Sequence, residues 1–189
     1  MPAFWQSLFF ITLAEMGDKT QLVSLAFAAR FSARVVLAGV FLATLLVHLV
    51  SVGIGELLGV MLPERWISLA AGVAFIGFGL WTIRGDTLTD AERRAEHRLG
   101  PLLTVAITFF LAELGDKTML ATVTLASQQR AFVPVWLGST LGMVVADGIA
   151  ILAGTVAGRR LPERAIRLGA AAVFIISGIA TIATAIPAR

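Results

Sequence analysis

Six long apolar stretches dominate the sequence, and they constrain the fold more than any other feature. They cover about residues 3–29, 35–61, 66–83, 102–128, 133–158 and 165–186. A helix needs roughly 17–25 mainly apolar residues to cross a bilayer. All six prolines lie at the edges of these stretches, where a helix tolerates them. The sequence therefore predicts an all-α polytopic membrane protein with six transmembrane helices.

Composition excludes several other classes of protein. Residues are 58% hydrophobic and only 14% charged, whereas an ordinary soluble domain is about 25% charged. The absence of cysteine excludes a disulfide scaffold, a thiolate zinc site and thiol catalysis. The formal net charge of +3 does not indicate nucleic acid as a partner, since positive loop charge is typical of membrane proteins.

The two halves of the sequence repeat each other. Glu-Met-Gly-Asp-Lys-Thr at residues 15–20 recurs as Glu-Leu-Gly-Asp-Lys-Thr at 113–118, and Leu-Pro-Glu-Arg at 62–65 recurs at 161–164. Three spans per half is an odd number, so the two halves must insert in opposite orientations. Such inverted repeats are typical of secondary transporters, whose binding site lies between the repeats near the membrane midplane. The predicted units are a first three-helix repeat at 1–84, a loop at 85–101 and a second three-helix repeat at 102–189.

The basic residues are distributed unevenly between the two sides of the predicted membrane. The side that holds the loops between spans 1 and 2, 3 and 4, and 5 and 6 carries ten arginines, and the other side carries three. Because Lys and Arg accumulate in cytoplasmic loops, the loop at 85–101 is predicted to be cytoplasmic and both termini to lie outside. Within this loop, Thr89 and Glu92 have the spacing of a capping box, which predicts a short helix.

Each copy of the six-residue motif lies inside a predicted span, because the apolar segments on either side of it are too short to cross alone. Glu15 and Asp18 are three residues apart, which predicts both carboxylates on one helix face. Glu113 and Asp116 repeat this spacing. A charge at the centre of a spanning helix costs roughly 2.5–3.5 kcal/mol. The motif charges must therefore face each other, a water-filled cavity or a bound cation.

Four carboxylates from two repeats predict a hard oxygen site suited to Mn²⁺, Ca²⁺ or Mg²⁺. Carboxylates crowded in a low dielectric can also take up protons when the metal leaves. One site would then serve metal and protons alternately, which is the physical basis of antiport.

Other residues in and near the motifs have predicted supporting roles. Gly17 and Gly115 are predicted to break the helix and free backbone carbonyls for a ligand. Thr20, Thr118 and Gln21 are candidate auxiliary oxygen ligands because each offers a hydroxyl or amide oxygen close to the carboxylates.

The chain has only two lysines, Lys19 and Lys117, and both lie in the motifs. We predict that they gate the site: each holds carboxylates while the site is empty and yields when the cation arrives. Lysine suits this role better than arginine, because buried lysine can lose its proton. The structural alternative is that each lysine pairs only with the glutamate four residues earlier, which leaves the motif aspartates without a role.

His48 and Asp147 occupy corresponding positions in the second span of each half, at an offset of 99 residues. One interpretation is a proton relay or an auxiliary ligand, since ionisable residues inside a membrane are usually functional. The other is a hydrogen-bonded His–Asp pair that joins two helices. The sequence leaves both open.

Two copies of Glu-x-Gly-Asp-Lys-Thr, one in the first span of each half, resemble the signature of the small Mn²⁺/Ca²⁺:H⁺ antiporters, also called the Ca²⁺:cation antiporter-2 family. The resemblance covers essentially the whole chain. It implies that Glu15, Asp18, Glu113 and Asp116 bind the metal. It also implies proton-driven export of Mn²⁺, with Ca²⁺ as the second candidate, across a bacterial inner membrane. The metal and protons are then substrates, no resident cofactor or enzymatic activity is expected, and a homo-oligomer stays open.

Three other functions fit parts of this pattern. A passive cation channel would also use acidic residues to select cations, but it would not respond to a pH gradient. An exporter of another cation would fit a similar six-helix scaffold. An intramembrane aspartyl protease would need two aspartates that share a proton, and a lysine beside them would hold them ionised instead.

Overall fold

The computed structural model of the chain describes residues 2–84, 100–157 and 163–185. These residues form eight α-helices and no β-strand. The helices are α1 (Pro2–Glu15), α2 (Lys19–Ala28), α3 (Ala33–Met61), α4 (Glu64–Arg84), α5 (Pro101–Glu113), α6 (Lys117–Gln129), α7 (Phe132–Ala157) and α8 (Glu163–Ala185). The short helix predicted at Thr89 and Glu92 lies outside the described residues.

Four of the six predicted stretches form single helices, α3, α4, α7 and α8, with ends within two residues of the predicted ones. The other two stretches are broken at the repeated motifs, giving α1 with α2 and α5 with α6. Two helices of the described chain, Ala33–Met61 and the part of α7 at Phe132–Ala153, are long and apolar enough to cross a membrane by themselves. The described residues therefore form an all-helical fold in which two helices have the length and composition of membrane spans.

The two halves of the chain pack into each other rather than side by side. The broken pair α1 and α2 packs against α7 of the second half, and the broken pair α5 and α6 packs against α3 of the first half. Helix α3 also contacts α7, and α4 packs along α8. Each break is therefore held by the long helix of the opposite half, which brings both motifs into the interior.

Glycines allow the long helices to approach each other at backbone distance. A Cβ added at Gly55 of α3 would lie 2.4 Å from the carbonyl oxygen of Val123 in α6. At Gly59, four residues later, a Cβ would lie 2.8 Å from the carbonyl oxygen of Ser127. This small-residue face therefore packs within one chain, as small-xxx-small faces do in membrane helices. The corresponding glycines at 154 and 158 lie outside the described side chains.

An aromatic cluster joins α4 and α8 to α1. Phe75 stacks on Phe10 with ring centroids 5.2 Å apart, and Phe174 lies 6.0 Å from Phe75. Phe75 and Phe174 are repeat-related residues and both are buried. These rings therefore connect the α4–α8 pair to α1.

Candidate cation site

Both motifs lie at helix breaks. Helix α1 ends at Glu15, Gly17 has a φ of 76°, and Asp18 takes an extended conformation at the N-cap position of α2. A positive φ is costly for any residue with a Cβ, which explains why glycine stands there. The prediction that Glu15 and Asp18 share one continuous helix face is wrong, because the helix ends between them.

The second motif has the same backbone path. Helix α5 ends at Glu113, Gly115 has a φ of 78°, and Asp116 is the N-cap residue of α6. In each motif the glutamate therefore lies at the C-terminal end of one helix and the aspartate at the N-terminus of the next. The positive end of a helix dipole favours an anionic side chain at that N-terminal position.

All four motif carboxylates are buried. Glu15 and Glu113 are 0% exposed, Asp18 is 2% exposed and Asp116 is 5% exposed. Lys117 is 2% exposed, so it accompanies the carboxylates into the interior. Charges this deep in a protein are stabilised only by counter-charges, hydrogen bonds, protons or bound ions.

A buried ion pair joins the two motifs. The Nζ atom of Lys117, in the second motif, lies 2.5 Å from Oδ1 of Asp18, in the first. The charge of Lys117 also acts on Glu15. The alternative that Lys117 pairs only with Glu113, four residues earlier, is therefore wrong, because Lys117 contacts Asp18 of the other motif. The side chain of Lys19 lies outside the described ones.

The two glutamates have different surroundings. Glu113 accepts a hydrogen bond from the hydroxyl of Thr118 in its own motif. Among the described residues, neither carboxylate oxygen of Glu15 accepts a hydrogen bond, and the Thr20 hydroxyl also has no partner there. A buried carboxylate without donors is costly, so Glu15 has the strongest need for a proton or a cation.

The side chain of Gln21 stabilises the first break by bonding to backbone groups. Its Oε1 accepts a hydrogen bond from the Gly17 N–H at 2.7 Å, and its Nε2 donates to the Ala146 carbonyl of α7 at 2.9 Å. The amide oxygen predicted as an auxiliary ligand is thus engaged by the backbone. At the second break the Gly115 N–H donates to the sulfur of Met119 at 3.3 Å.

His48 and Asp147 do not bond to each other. Oδ1 of Asp147 accepts a hydrogen bond from the Ser24 hydroxyl at 2.6 Å, while Nδ1 of His48 lies 3.5 Å from the Thr140 hydroxyl oxygen. The interpretation as a hydrogen-bonded His–Asp pair is therefore wrong. The charge of Asp147 acts on both motif glutamates and on Asp18, which places it electrostatically with the motifs.

The carboxylates do not form a ready-made cage. Within residues 2–84, 100–157 and 163–185, no group of three or more Asp, Glu, His or Cys side chains is close enough to hold a metal ion. Instead, the structure brings the aspartate of the first motif into contact with the lysine of the second.

Sequence reasoning missed Ser24, the residue that holds Asp147. Thr20 and Ser24 are four residues apart in α2, so their hydroxyls lie on one helix face, and Thr118 and Thr122 repeat the pattern in α6. A repeated polar pair at helical spacing, directly after each motif, was the signal that could have identified this face.

Comparisons with known proteins agree with the motifs. The profile of the GDT1 family, described as "Divalent cation/proton antiporter GDT1", matches residues 3–90 and again residues 101–188. A Vibrio cholerae protein whose name describes a candidate manganese exporter is 36% identical over 90% of this chain and 86% of its own length. A GDT1-like protein of Synechocystis is 30% identical over 95% of this chain and 96% of its own length.

A more distant relative, GDT1-like protein 5 of Arabidopsis thaliana, is 27% identical over 100% of this chain and 98% of its own length. No solved structure matches the chain significantly. The double profile match confirms both the resemblance carried by the motifs and the internal repeat. The chain therefore belongs to the GDT1 family of divalent cation/proton antiporters.

Proposed function

We propose that the chain exports Mn²⁺ from the bacterial cytoplasm in exchange for protons, with Ca²⁺ as the second candidate substrate. The family membership and the name of the Vibrio cholerae relative support the type of ion. The ten-to-three arginine distribution supports termini outside and a cytoplasmic loop at 85–101.

In this proposal the chain crosses the inner membrane six times as two inverted three-helix repeats. Each broken pair acts as one span, since the 14 residues of α1 and the 10 residues of α2 together provide roughly 36 Å of helix at about 1.5 Å per residue. Large apolar side chains face outward along the helices, for example Val60 at 80% and Met61 at 70% exposure, which suits contact with lipid. Broken helices at the midplane are the usual site of ion binding in such transporters.

Glu15, Asp18, Glu113 and Asp116 are the proposed cation ligands. The observation that carries this assignment is Glu15, which is 0% exposed and has no hydrogen bond to either carboxylate oxygen from the described residues. It lies beside a cross-motif ion pair, so a cation there would be shared by both repeats. An all-oxygen ligand set suits a hard divalent cation.

Lys117 is proposed to neutralise carboxylate charge at the site before the cation binds. Its ammonium group lies 2.5 Å from Asp18 and compensates the carboxylates in the absence of metal. An arriving divalent cation would displace this contact and draw the four carboxylates together. Lys19, the equivalent residue of the first motif, is proposed to act in the same way on the second.

The exchange of metal for protons follows from the free-energy cost of keeping carboxylate charges in a low-dielectric interior when no counter-charge neutralises them. Buried charges whose partner is removed destabilise a protein by about 3–5 kcal/mol. A carrier with four carboxylates therefore reorients readily only when a metal ion or protons neutralise them. This alternation couples the outward movement of metal to the inward movement of protons.

The test is Mn²⁺ flux into proteoliposomes of the purified chain under an imposed pH gradient, with Ca²⁺ and Mg²⁺ as competitors. We expect Mn²⁺ to accumulate against its own gradient when protons flow the other way. Liposomes that hold Asp18→Asn protein give the matched background. Movement of Mn²⁺ only down its gradient, independent of pH, would instead identify a passive channel.

A further inference from the structure

One buried carboxylate outside both motifs lies against the first break. Asp147, in the long helix α7, is 0% exposed. Its Oδ1 accepts a hydrogen bond from the Ser24 hydroxyl of α2 at 2.6 Å, while its Oδ2 has no hydrogen-bond partner among the described residues. A half-satisfied carboxylate at this depth is costly and needs a functional reason.

The neighbouring residue ties Asp147 to the first motif. The carbonyl oxygen of Ala146 accepts a hydrogen bond from Gln21, whose amide oxygen in turn accepts the Gly17 N–H. The backbone at Asp147 is therefore clamped to the glycine that separates Glu15 from Asp18. The break and the carboxylate of α7 are thus held together as one unit.

The charge of Asp147 reaches both motifs. It acts electrostatically on Asp18 and Glu15 of the first motif and on Glu113 of the second. Asp147 therefore adds negative charge to the region where the cation is proposed to bind. A divalent ion gains about twice as much as a monovalent ion from each added charge at the same distance.

The equivalent position of the first repeat does not repeat this arrangement. His48 is also 0% exposed, but its Nδ1 lies near Thr140 of α7, and Asp147 is not its partner. A histidine cannot add a negative charge under physiological conditions. Of these two repeat-related positions, the one in α7 therefore carries an acidic group and the one in α3 does not.

We propose that Asp147 is a fifth carboxylate of the cation site, supplied by α7 alone and held by Ser24, which strengthens binding of divalent relative to monovalent cations. This inference rests on the proposed cation site at the two motifs. It assigns a specificity-determining role to a residue outside the repeated signature.

The experiment is titration of the purified chain with Mn²⁺, and separately with Na⁺ as competitor, without any pH gradient. Asp147→Asn keeps the shape of the side chain and an oxygen that accepts from Ser24, so the fold is expected to persist. We expect the Mn²⁺ Kd to rise about 10-fold, a typical loss for a supporting group at a metal site. Competition by Na⁺ should become more effective at the same time.

Three further variants sharpen the result. Asp147→Glu keeps the charge and should recover part of the affinity. Ser24→Ala should weaken binding less than Asp147→Asn, because the carboxylate remains. His48→Gln, at the repeat-related position, is the matched control and should leave the Mn²⁺ Kd unchanged.

An unchanged Mn²⁺ Kd in Asp147→Asn would overturn the proposal, and so would an equal loss in His48→Gln. Loss of affinity with no change in Na⁺ competition would remove the specificity role. Because binding is measured without a gradient, intact binding with no proton-coupled flux would contradict the antiport mechanism but leave the role of Asp147 standing. A wild-type chain that does not bind Mn²⁺ would overturn both.

Discussion

The two motif breaks have nearly the same sequence but different surroundings. In the second break, Glu113 accepts a hydrogen bond from Thr118 of its own motif. In the first, Glu15 has no donor among the described residues, and Thr20 does not serve it. Lys117 of the second break extends across to Asp18 of the first, so the second break supplies positive charge to the first.

The breaks also differ in how firmly they are held. Gln21 links Gly17 to the Ala146 carbonyl of α7 through two hydrogen bonds, whereas in the described part of the chain the Gly115 N–H donates to the sulfur of Met119, a weaker acceptor. The first break is thus the more firmly attached one and contains the least compensated carboxylate. Two nearly identical motifs therefore differ in their charge environment: the first contains the carboxylate of Asp18, and the second supplies the ammonium group that pairs with it.

The largest expected effect comes from removing the cross-motif cation. Lys117→Met leaves the buried carboxylate of Asp18 without this partner, which should lower the free energy of unfolding by about 3–5 kcal/mol. Denaturation of the purified chain in detergent measures this. The double variant Lys117→Met with Asp18→Asn should recover most of the loss, since both charges are then absent. Equal stability of Lys117→Met and the wild type would show that the second break does not stabilise the first through this ion pair.

Next in size is the loss of a proposed ligand from either motif. Asp18→Asn and Asp116→Asn should each lower Mn²⁺ flux by on the order of 100-fold, if one ion needs both repeats. Size-exclusion profiles of the purified variants check that both are folded. Should only one variant lose transport, the other aspartate leaves the ligand set, and the two breaks do not share a site.

A smaller effect separates the two glutamates. The carboxylate of Glu15 is buried and accepts no hydrogen bond from the described residues. Glu15→Gln removes its charge and should therefore raise the free energy of unfolding by about 2 kcal/mol. Glu113→Gln keeps an oxygen that accepts from Thr118 and should change stability much less. Both variants should bind Mn²⁺ poorly. Equal stability changes in the two variants would show that the hydrogen bond from Thr118 to Glu113 does not affect stability.

The smallest expected effect concerns the residues that cap the breaks. Gln21→Met removes the hydrogen bonds to Gly17 and to the Ala146 carbonyl, together with a longer contact to the sulfur of Met16, and should cost about 1–2 kcal/mol of unfolding free energy, at about 1 kcal/mol per full hydrogen bond. Met119→Leu removes only a sulfur contact and should be nearly neutral. Thermal unfolding of the two single variants compares them directly. A larger loss of unfolding free energy in Met119→Leu than in Gln21→Met would show that the second break, not the first, is the more firmly held.

The helices were predictable because the length of an apolar stretch, the position of prolines and the conformational freedom of glycine are local properties of the sequence. The apolar stretches gave helix ends within two residues for α3, α4, α7 and α8. The breaks coincide with Gly17 and Gly115, whose positive φ values a residue with a Cβ would resist. Local chemistry thus accounts for where the chain is helical and where it is not.

The partners of the motif side chains were not predictable, because they depend on how the two halves dock. Helical spacing offered Glu113 as the partner of Lys117, but Lys117 contacts the carboxylate of Asp18, 99 residues away in the opposite half. The same holds for the hydrogen bond from Gln21 to the Ala146 carbonyl of α7 and for Asp147, whose donor is Ser24. No pattern within one helix contains these contacts.

The central claim is that two motifs build one cation site, and the number of Mn²⁺ ions bound per chain tests it most directly. Equilibrium binding of Mn²⁺ to the purified chain should give a single ion per chain. Asp18→Asn and Asp116→Asn should each abolish that binding. Two bound ions, with each variant removing only one of them, would show two independent sites and contradict the account.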